Sequence, residues 1–286
     1  MLSHFKLQST PEPGNSHATA THEGLQFLSF PGGERHVRLP PSVLTAPDRC
    51  WTLLADIYSA DGVMDLLLLT DALRRAIVPG AQLHLVLPYV PYARQDRVAL
   101  PGEPLSATVF CRLINGLGFD TVTISDPHSD VVPALLERVR VVAATGYVRQ
   151  VREQALAHLP ALALVAPDAG ARKRVDTIGK ALGLPVVHAG KRRDVATGAL
   201  SGAEVEGELP DLPLLIVDDI CDGGGTFIAL ARVLRERTQQ PLYLYVTHGL
   251  FTKGLAPLQA LFDGVFAAHC AQPDLAQATR LSGQNA

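Results

Sequence analysis

Apolar positions fall along this chain in two alternating rhythms. Residues 61–77 carry apolar side chains at helical spacing and predict a buried helix. Short apolar runs at 82–87, 121–125, 161–166, 185–188, 242–247 and 265–268 have strand length. Further helices are expected over 106–116, with Ser106 as N-cap, and from the PDAGARKR segment to Leu182. A stretch of weak signal at 141–150 separates two halves of the same strand–helix order. The alternation predicts an α/β chain of two similar domains, 1–145 and 146–286, each a parallel sheet flanked by helices. In both halves the polar motifs follow predicted strand ends, where open parallel sheets form their ligand crevices.

Residues 214–227, LLIVDDICDGGGTF, carry the most chemistry. An aliphatic run of the length of a buried parallel strand ends in two carboxylates, Asp218 and Asp219. Asp222 then opens Gly223, Gly224, Gly225 and Thr226, and Phe227, Leu230, Val233 and Leu234 repeat at helical spacing. The glycines therefore sit in a strand-to-helix turn. Backbone N–H groups and the positive helix end converge there, which suits a phosphate. The aspartates would repel a phosphate but accept hydrogen bonds from sugar hydroxyls, so a phosphorylated sugar satisfies both features. A glycine triplet alone reads as an ordinary turn; adjacent aspartates at a strand end shift the reading to a ligand site. Neither GxxxxGK[ST] nor a helix-opening GxGxxG occurs.

Three other constellations follow strand-like runs. Arg94, Gln95, Asp96 and Arg97 surround an amide and a carboxylate with two guanidinium forks, which match phosphate oxygens and stack on flat rings. Taken alone, that segment reads equally as an ion-paired surface loop. Lys191, Arg192 and Arg193 form a basic run between two predicted strands. The small, polar DVATGALSG that follows suits a mobile loop, able to bring a cation onto a transferring phosphoryl group. His128, between Asp126 and Asp130, and Asp168 in PDAG supply scattered donors. Such donors suit Mg2+ held mainly by substrate phosphates rather than a closed transition-metal site.

Composition narrows the class without choosing the chemistry. With 47% hydrophobic and 19% charged residues over 286 positions, the chain has ample material for one or two cores. A net charge of −3 gives no basic footprint for nucleic acid. Four scattered cysteines without CxxC argue against a disulfide framework or zinc site and for a reducing, cytoplasmic setting. The longest aliphatic stretch, near 66–69, is too short to span a membrane, and residues 1–24 lack an apolar signal core.

In order along the chain, these motifs resemble ribose-phosphate pyrophosphokinases, the enzymes that make phosphoribosyl pyrophosphate (PRPP). FPGGE at 30–34, the helix ending DALRRA, YARQDR at 92–97, DPHSD, PDAGARKR, AGKRR, VDDICDGGGT and THGLFTKG all find counterparts, over about residues 25–268. The resemblance implies two domains of the type I phosphoribosyltransferase kind with the active site between them, the first on the nucleotide side and the second on the ribose 5-phosphate side. ATP would be bound by Phe30, Gly32, Glu34, Arg94, Gln95, Asp96 and Arg97, with the FPGGE loop coming from a neighbouring subunit of a homo-oligomer, a dimer or hexamer. Ribose 5-phosphate would place its phosphate on Asp222, Gly223, Gly224, Gly225 and Thr226, and its 2- and 3-hydroxyls on Asp218 and Asp219. Lys191 matches the catalytic lysine, and Arg193 its partner, which also meets the sugar phosphate. His128 and Asp168 match magnesium positions.

Departures from the family pattern are local. Gly32 replaces a polar residue, and Gly223 stands where threonine is usual, which removes one hydroxyl donor to the phosphate. Pro127 and Ser129 alter the histidine segment, and Asp130 adds a carboxylate. No catalytic position is lost. Two other readings share part of the motif set: an inactive regulatory subunit, and a PRPP-using phosphoribosyltransferase or PRPP-sensing regulator.

Overall fold

Strand-length apolar runs become the centres of two six-stranded sheets in the computed structural model, which describes residues 3–12, 19–193, 200–272 and 274–275. The chain divides into two compact units, Met1–Val142 and Ala143–Ala286.

The first unit orders its sheet β2-β1-β5-β6-β7-β8, with β1 His4–Thr10, β2 Ala20–His22, β5 Cys50–Asp56, β6 Gln82–Val86, β7 Thr121–Ser125 and β8 Val139–Val142. Strands β5 to β8 run parallel, while β1 pairs antiparallel with β2 and β5. A separate hairpin joins β3 Gln26–Ser29 to β4 Arg35–Arg38. In β5 burial alternates, with Trp51, Leu53 and Ala55 turned into the core. Helix α2 (Ala60–Ala76; α1 is the short Pro41–Leu44) lays Leu66, Leu69 and Leu73 in the same cluster. Ser59 caps α2 by accepting from the Gly62 N–H at 3.1 Å, and Asp61 and Arg74/Arg75 at its two ends oppose the helix dipole. Helix α3 (Ser106–Gly116) adds Phe110 and Ile114, and a short α4 (Val131–Leu135) follows β7.

The second unit orders its sheet β11-β10-β9-β12-β13-β14. Its members are β9 Ala163–Ala166, β10 Val186–Arg193, β11 Leu200–Val205, β12 Leu214–Cys221, β13 Leu242–Gly249 and β14 Gly264–Cys270. All neighbours run parallel except β10 and β11. Apolar runs here are continuous because both faces are covered. Leu214 and Ile216 point to one cluster with Phe227, Leu230 and Leu234 of α7 (Gly225–Arg237) and Leu258 of α8 (Ala256–Gln259). Leu215 and Val217 point to the other, with Val148 of α5 (Ala144–Gln150) and Val175 and Ile178 of α6 (Arg172–Leu182). A one-turn π-helical segment, Val151–Ala155, extends α5. From β9 the chain crosses through α6 to β10 on one side and later returns to β12 on the other. The β9/β12 boundary is thus a topological switch point, the place where such sheets open a crevice at their strand ends.

Several sequence expectations change. Ser106 is the first residue of α3 rather than its cap; the free Ala107 N–H is satisfied instead by the Gln95 carbonyl at 3.2 Å, so a backbone loop replaces the side chain. The AGKRR run, read as lying between two strands, lies within β10, where Lys191 pairs with Ala203 and Arg192 with Gly202. Backbone pairing in a hairpin needs no apolar rhythm, so the pattern gave no sign of it. The weak stretch at 141–150 holds the end of β8 and α5. Among the described residues no helix is long and apolar enough to cross a membrane.

Candidate active site

The second unit gathers its chemistry at the switch point. Asp168 follows β9, and its Oδ1 accepts from the N–H groups of Gly170 at 2.9 Å and Ala171 at 3.2 Å, which fixes the turn into α6. Four residues after Gly170, Arg174 reaches across to β12. Its Nη1 lies 3.2 Å from Asp218 Oδ1 and 3.4 Å from Asp219 Oδ1. The Asp219 N–H also donates to Asp218 Oδ1 at 2.9 Å. These are sheltered charges: the side chains of Arg174, Asp218 and Asp219 are 15%, 16% and 7% exposed. Burial, reinforced by the Asp219 charge, pushes the Asp218 carboxyl well above the usual range, while Arg174 opposes the rise. The Arg174 guanidinium, in contact with both carboxylates, offsets part of their mutual repulsion.

Beyond β12 the chain turns sharply. Gly224, at φ +76°, occupies the N-cap of α7 in the left-handed region that glycine enters without strain. Gly224 at the N-cap has no side chain to cap this thirteen-residue helix, which suits its first N–H groups to an anion. The turn is braced from the loop after β13: Thr252 donates through its N–H to the Asp222 carbonyl at 3.1 Å and through Oγ1 to Asp222 Oδ1 at 2.8 Å. Leu250 and Phe251 donate to the Cys221 carbonyl. Gly223 and Asp222 are partly buried, and Gly225 and Thr226 open to solvent. Asp168, Asp218, Asp219 and residues 222–226 therefore share one edge of one sheet. Lys191 and Arg193 occupy β10 of the same sheet, and their side chains lie outside the described residues.

In the first unit, YARQDR follows β6. Tyr92 holds φ +64°, a conformation that costs a bulky residue energy and recurs at functional loops. Arg94 and Gln95 line a cavity of about 510 Å³ with Tyr58, Ser59, Tyr89 and Tyr92. Tyr58 and Tyr89 stack with ring centroids 5.6 Å apart, which gives the cavity a flat apolar wall. Asp96 is half-buried and Arg97 exposed. After β7, Asp126 is buried at φ +38° with its N–H on the Val142 carbonyl, and His128 is exposed. The FPGGE loop is the exposed tip of the β3–β4 hairpin, closed by Phe30 N–H to Glu34 C=O at 2.9 Å; Phe30, Gly32 and Glu34 all face solvent. Directly below, Arg35 forks onto Asp65 of α2 through Nε at 2.8 Å and Nη2 at 2.5 Å.

Arg174 and the Arg35–Asp65 pair were not singled out from sequence. A helical reading of ARKR holds the signal: with Val175 and Ile178 buried, Arg174 is the cation on the sheet-facing side of α6. For magnesium, the donors fit one habit only. No group of three or more His, Cys, Asp or Glu side chains gathers among the described residues. His128 in the first unit and Asp168 in the second each offer a single donor, as suits an ion that takes most of its ligands from phosphates and water.

A parallel sheet with paired carboxylates at a strand end and a glycine-rich helix start beside them defines the type I phosphoribosyltransferase class of fold. Within that class the comparisons are specific. The model of the N-terminal domain of ribose phosphate pyrophosphokinase matches residues 23–118. The ribose-phosphate pyrophosphokinase of Thermococcus kodakarensis is 34% identical over 241 residues, covering 80% of this chain and 79% of that protein. Its Mycoplasma pneumoniae counterpart is 36% identical over 197 residues, covering 69% of this chain and 59% of that one. The crystal structure of phosphoribosylpyrophosphate synthetase from Mycobacterium smegmatis superposes with a TM-score of 0.69 at 25% identity, covering 87% of this chain and 80% of that chain. This chain belongs to the ribose-phosphate pyrophosphokinase family.

Proposed function

We propose that the chain transfers the β,γ-pyrophosphoryl group of ATP to the 1-hydroxyl of ribose 5-phosphate, giving PRPP and AMP. The observation that carries this is the Arg174–Asp218–Asp219 cluster beside the uncapped start of α7. It couples acceptors for a vicinal diol to donors for a phosphate, the two ends of one pentose phosphate.

In this reading the N–H groups of residues 223–226 hold the 5-phosphate, and Asp218 and Asp219 accept from the 2- and 3-hydroxyls. Arg174 favours the ionised form of Asp218 against the burial and the neighbouring charge that oppose it. Held at both ends, the sugar presents its 1-hydroxyl in a fixed direction, and fixed geometry is most of what phosphoryl transfer asks of a protein. The aromatic cavity at Tyr58, Tyr89 and Arg94 takes the adenine base, with Gln95, Asp96 and Arg97 on the rest of the nucleotide. Phe30, Gly32 and Glu34 complete that site from a second copy of the chain, in a cytoplasmic homo-oligomer. The 1-hydroxyl oxygen forms a bond to the β-phosphorus as the bond from that phosphorus to the α–β bridging oxygen breaks. AMP leaves with the bridging oxygen, and the hydroxyl proton passes to solvent. Lys191 and Arg193 neutralise the charge that develops on the group in flight. His128 and Asp168 would hold Mg2+, which when bound supplies further neutralisation of the phosphate oxygens.

Incubation of the purified chain with ATP, Mg2+ and ribose 5-phosphate, followed by mass analysis, tests this. PRPP and AMP in equal amounts are expected. Formation of ADP, or consumption of PRPP with a nucleobase in place of ATP, contradicts the assignment.

A further inference from the structure

The loop after β13 does more than brace the phosphate turn. Phe251 holds φ +45° and Gly254 φ +72°, and the Gly254 N–H returns to the Phe251 carbonyl at 2.8 Å, so residues 251–254 form a tight turn. Thr252 is tied to Asp222 twice, and the next residue, Lys253, runs its side chain along Gly223. A Cβ placed on Gly223 would meet Lys253 Cε at 3.3 Å, Cδ at 3.4 Å and Cγ at 3.7 Å. The aliphatic stem therefore packs closely against the position where a side chain at 223 would begin, and its ammonium lies one bond beyond the closest atom. Among the described residues Lys253 forms no ion pair.

By the family resemblance, Gly223 also stands where a hydroxyl donor would be expected. We infer that Lys253 is a phosphate-binding residue of the ribose 5-phosphate site, and that glycine at 223 and lysine at 253 form a coupled pair. The lysine stem lies closest to residue 223 when that residue is glycine, and the ammonium takes the part of a hydroxyl donor there. An ammonium on a phosphate dianion makes a charge-assisted hydrogen bond, stronger than the neutral one it stands in for. The inference rests on the sugar-phosphate reading of this loop given above.

The test uses steady-state kinetics on the full chain with ribose 5-phosphate as the varied substrate. Lys253→Met keeps the stem over Gly223 and removes only the charge. It should raise KM for ribose 5-phosphate about tenfold, an effect much larger than that on kcat, and leave KM for ATP within about twofold. Gly223→Thr should displace the flexible lysine and raise the same KM. Joined to Lys253→Ala, however, it should recover a good part of what Lys253→Ala alone loses, because space and a hydroxyl are restored together. An unchanged KM in Lys253→Met overturns the inference, as does simple additivity in the double variant. If the wild-type chain makes PRPP while Lys253→Met is normal, only the lysine's role falls. A wild-type chain that does not use ribose 5-phosphate removes the sugar-phosphate reading and this inference with it.

Discussion

The two units present charge in opposite ways. In the first, the groups that follow β6 and β7 are mostly held out in solvent: Arg94, Gln95, Arg97 and His128 are exposed, and Phe30, Gly32 and Glu34 sit on a hairpin tip. What is fixed there is backbone, with Tyr92 and Asp126 at positive φ. In the second unit the charges are fixed. Arg174, Asp218 and Asp219 are sheltered and in mutual contact, and the glycine turn is tied down through Asp222 and Thr252. Sheltered, prepaired acceptors suit a small sugar whose hydroxyls must be held in one orientation. An open set of arginines beside an aromatic cavity suits a larger nucleotide that brings its own charge and order.

The sharpest way to break this contrast is to remove a cation that belongs to neither steady site. Lys191→Ala should cut turnover by about three orders of magnitude in an AMP-release assay, by analogy with loss of an arginine finger. Near-normal PRPP formation would show that transfer does not depend on it. Next in size, Asp218→Ala should lower kcat/KM for ribose 5-phosphate about thirtyfold, through lost charge-assisted hydrogen bonds, while KM for ATP stays within about twofold. Equal damage to both substrates would erase the division of labour between the units.

Arg174→Gln sharpens the same point through pH. Burial already raises the Asp218 carboxyl, and in the proposed site the ionised form is the one that would accept from the sugar. Binding therefore weakens as pH falls through a value above the ordinary carboxylate range. Without the guanidinium that value should climb, moving the acidic limb of kcat/KM to higher pH and costing about tenfold at neutrality. An acidic limb that does not move would mean that Arg174 is only a packing residue. The sign for stability is opposite. A carboxyl whose folded value is raised contributes stability present below its unfolded value and lost as pH rises through the folded one. Wherever Asp218 is ionised, its burial beside Asp219 thus costs stability to the fold. Smallest of all, Arg94→Ala should raise KM for ATP only about fivefold, as expected of a solvent-screened contact, and leave the sugar unaffected.

Much of the second unit was legible in the amino-acid pattern, because a strand covered on both faces must be apolar throughout. β12 and α7 could be read from LLIV and from the helical spacing beyond the glycines. Five strands and a short helix before Ala60 went unmarked; of these β1, β2, β3 and β4 pair antiparallel, where polar residues alternate freely along a strand. The site was legible where chemistry is concentrated in one segment, as at Asp218 to Thr226. Arg174 and Lys253 escaped because their meaning lies in tertiary contacts, with β12 in one case and Gly223 in the other.

In the proposed transfer the pentose hydroxyl is the attacking group, and an isotope reports it directly. Ribose 5-phosphate carrying oxygen-18 in its 1-hydroxyl, used before the label exchanges with water, should yield PRPP with that oxygen retained between C1 and phosphorus, and unlabelled AMP. Label appearing in AMP, or PRPP formed without it, would contradict the transfer assigned to this chain.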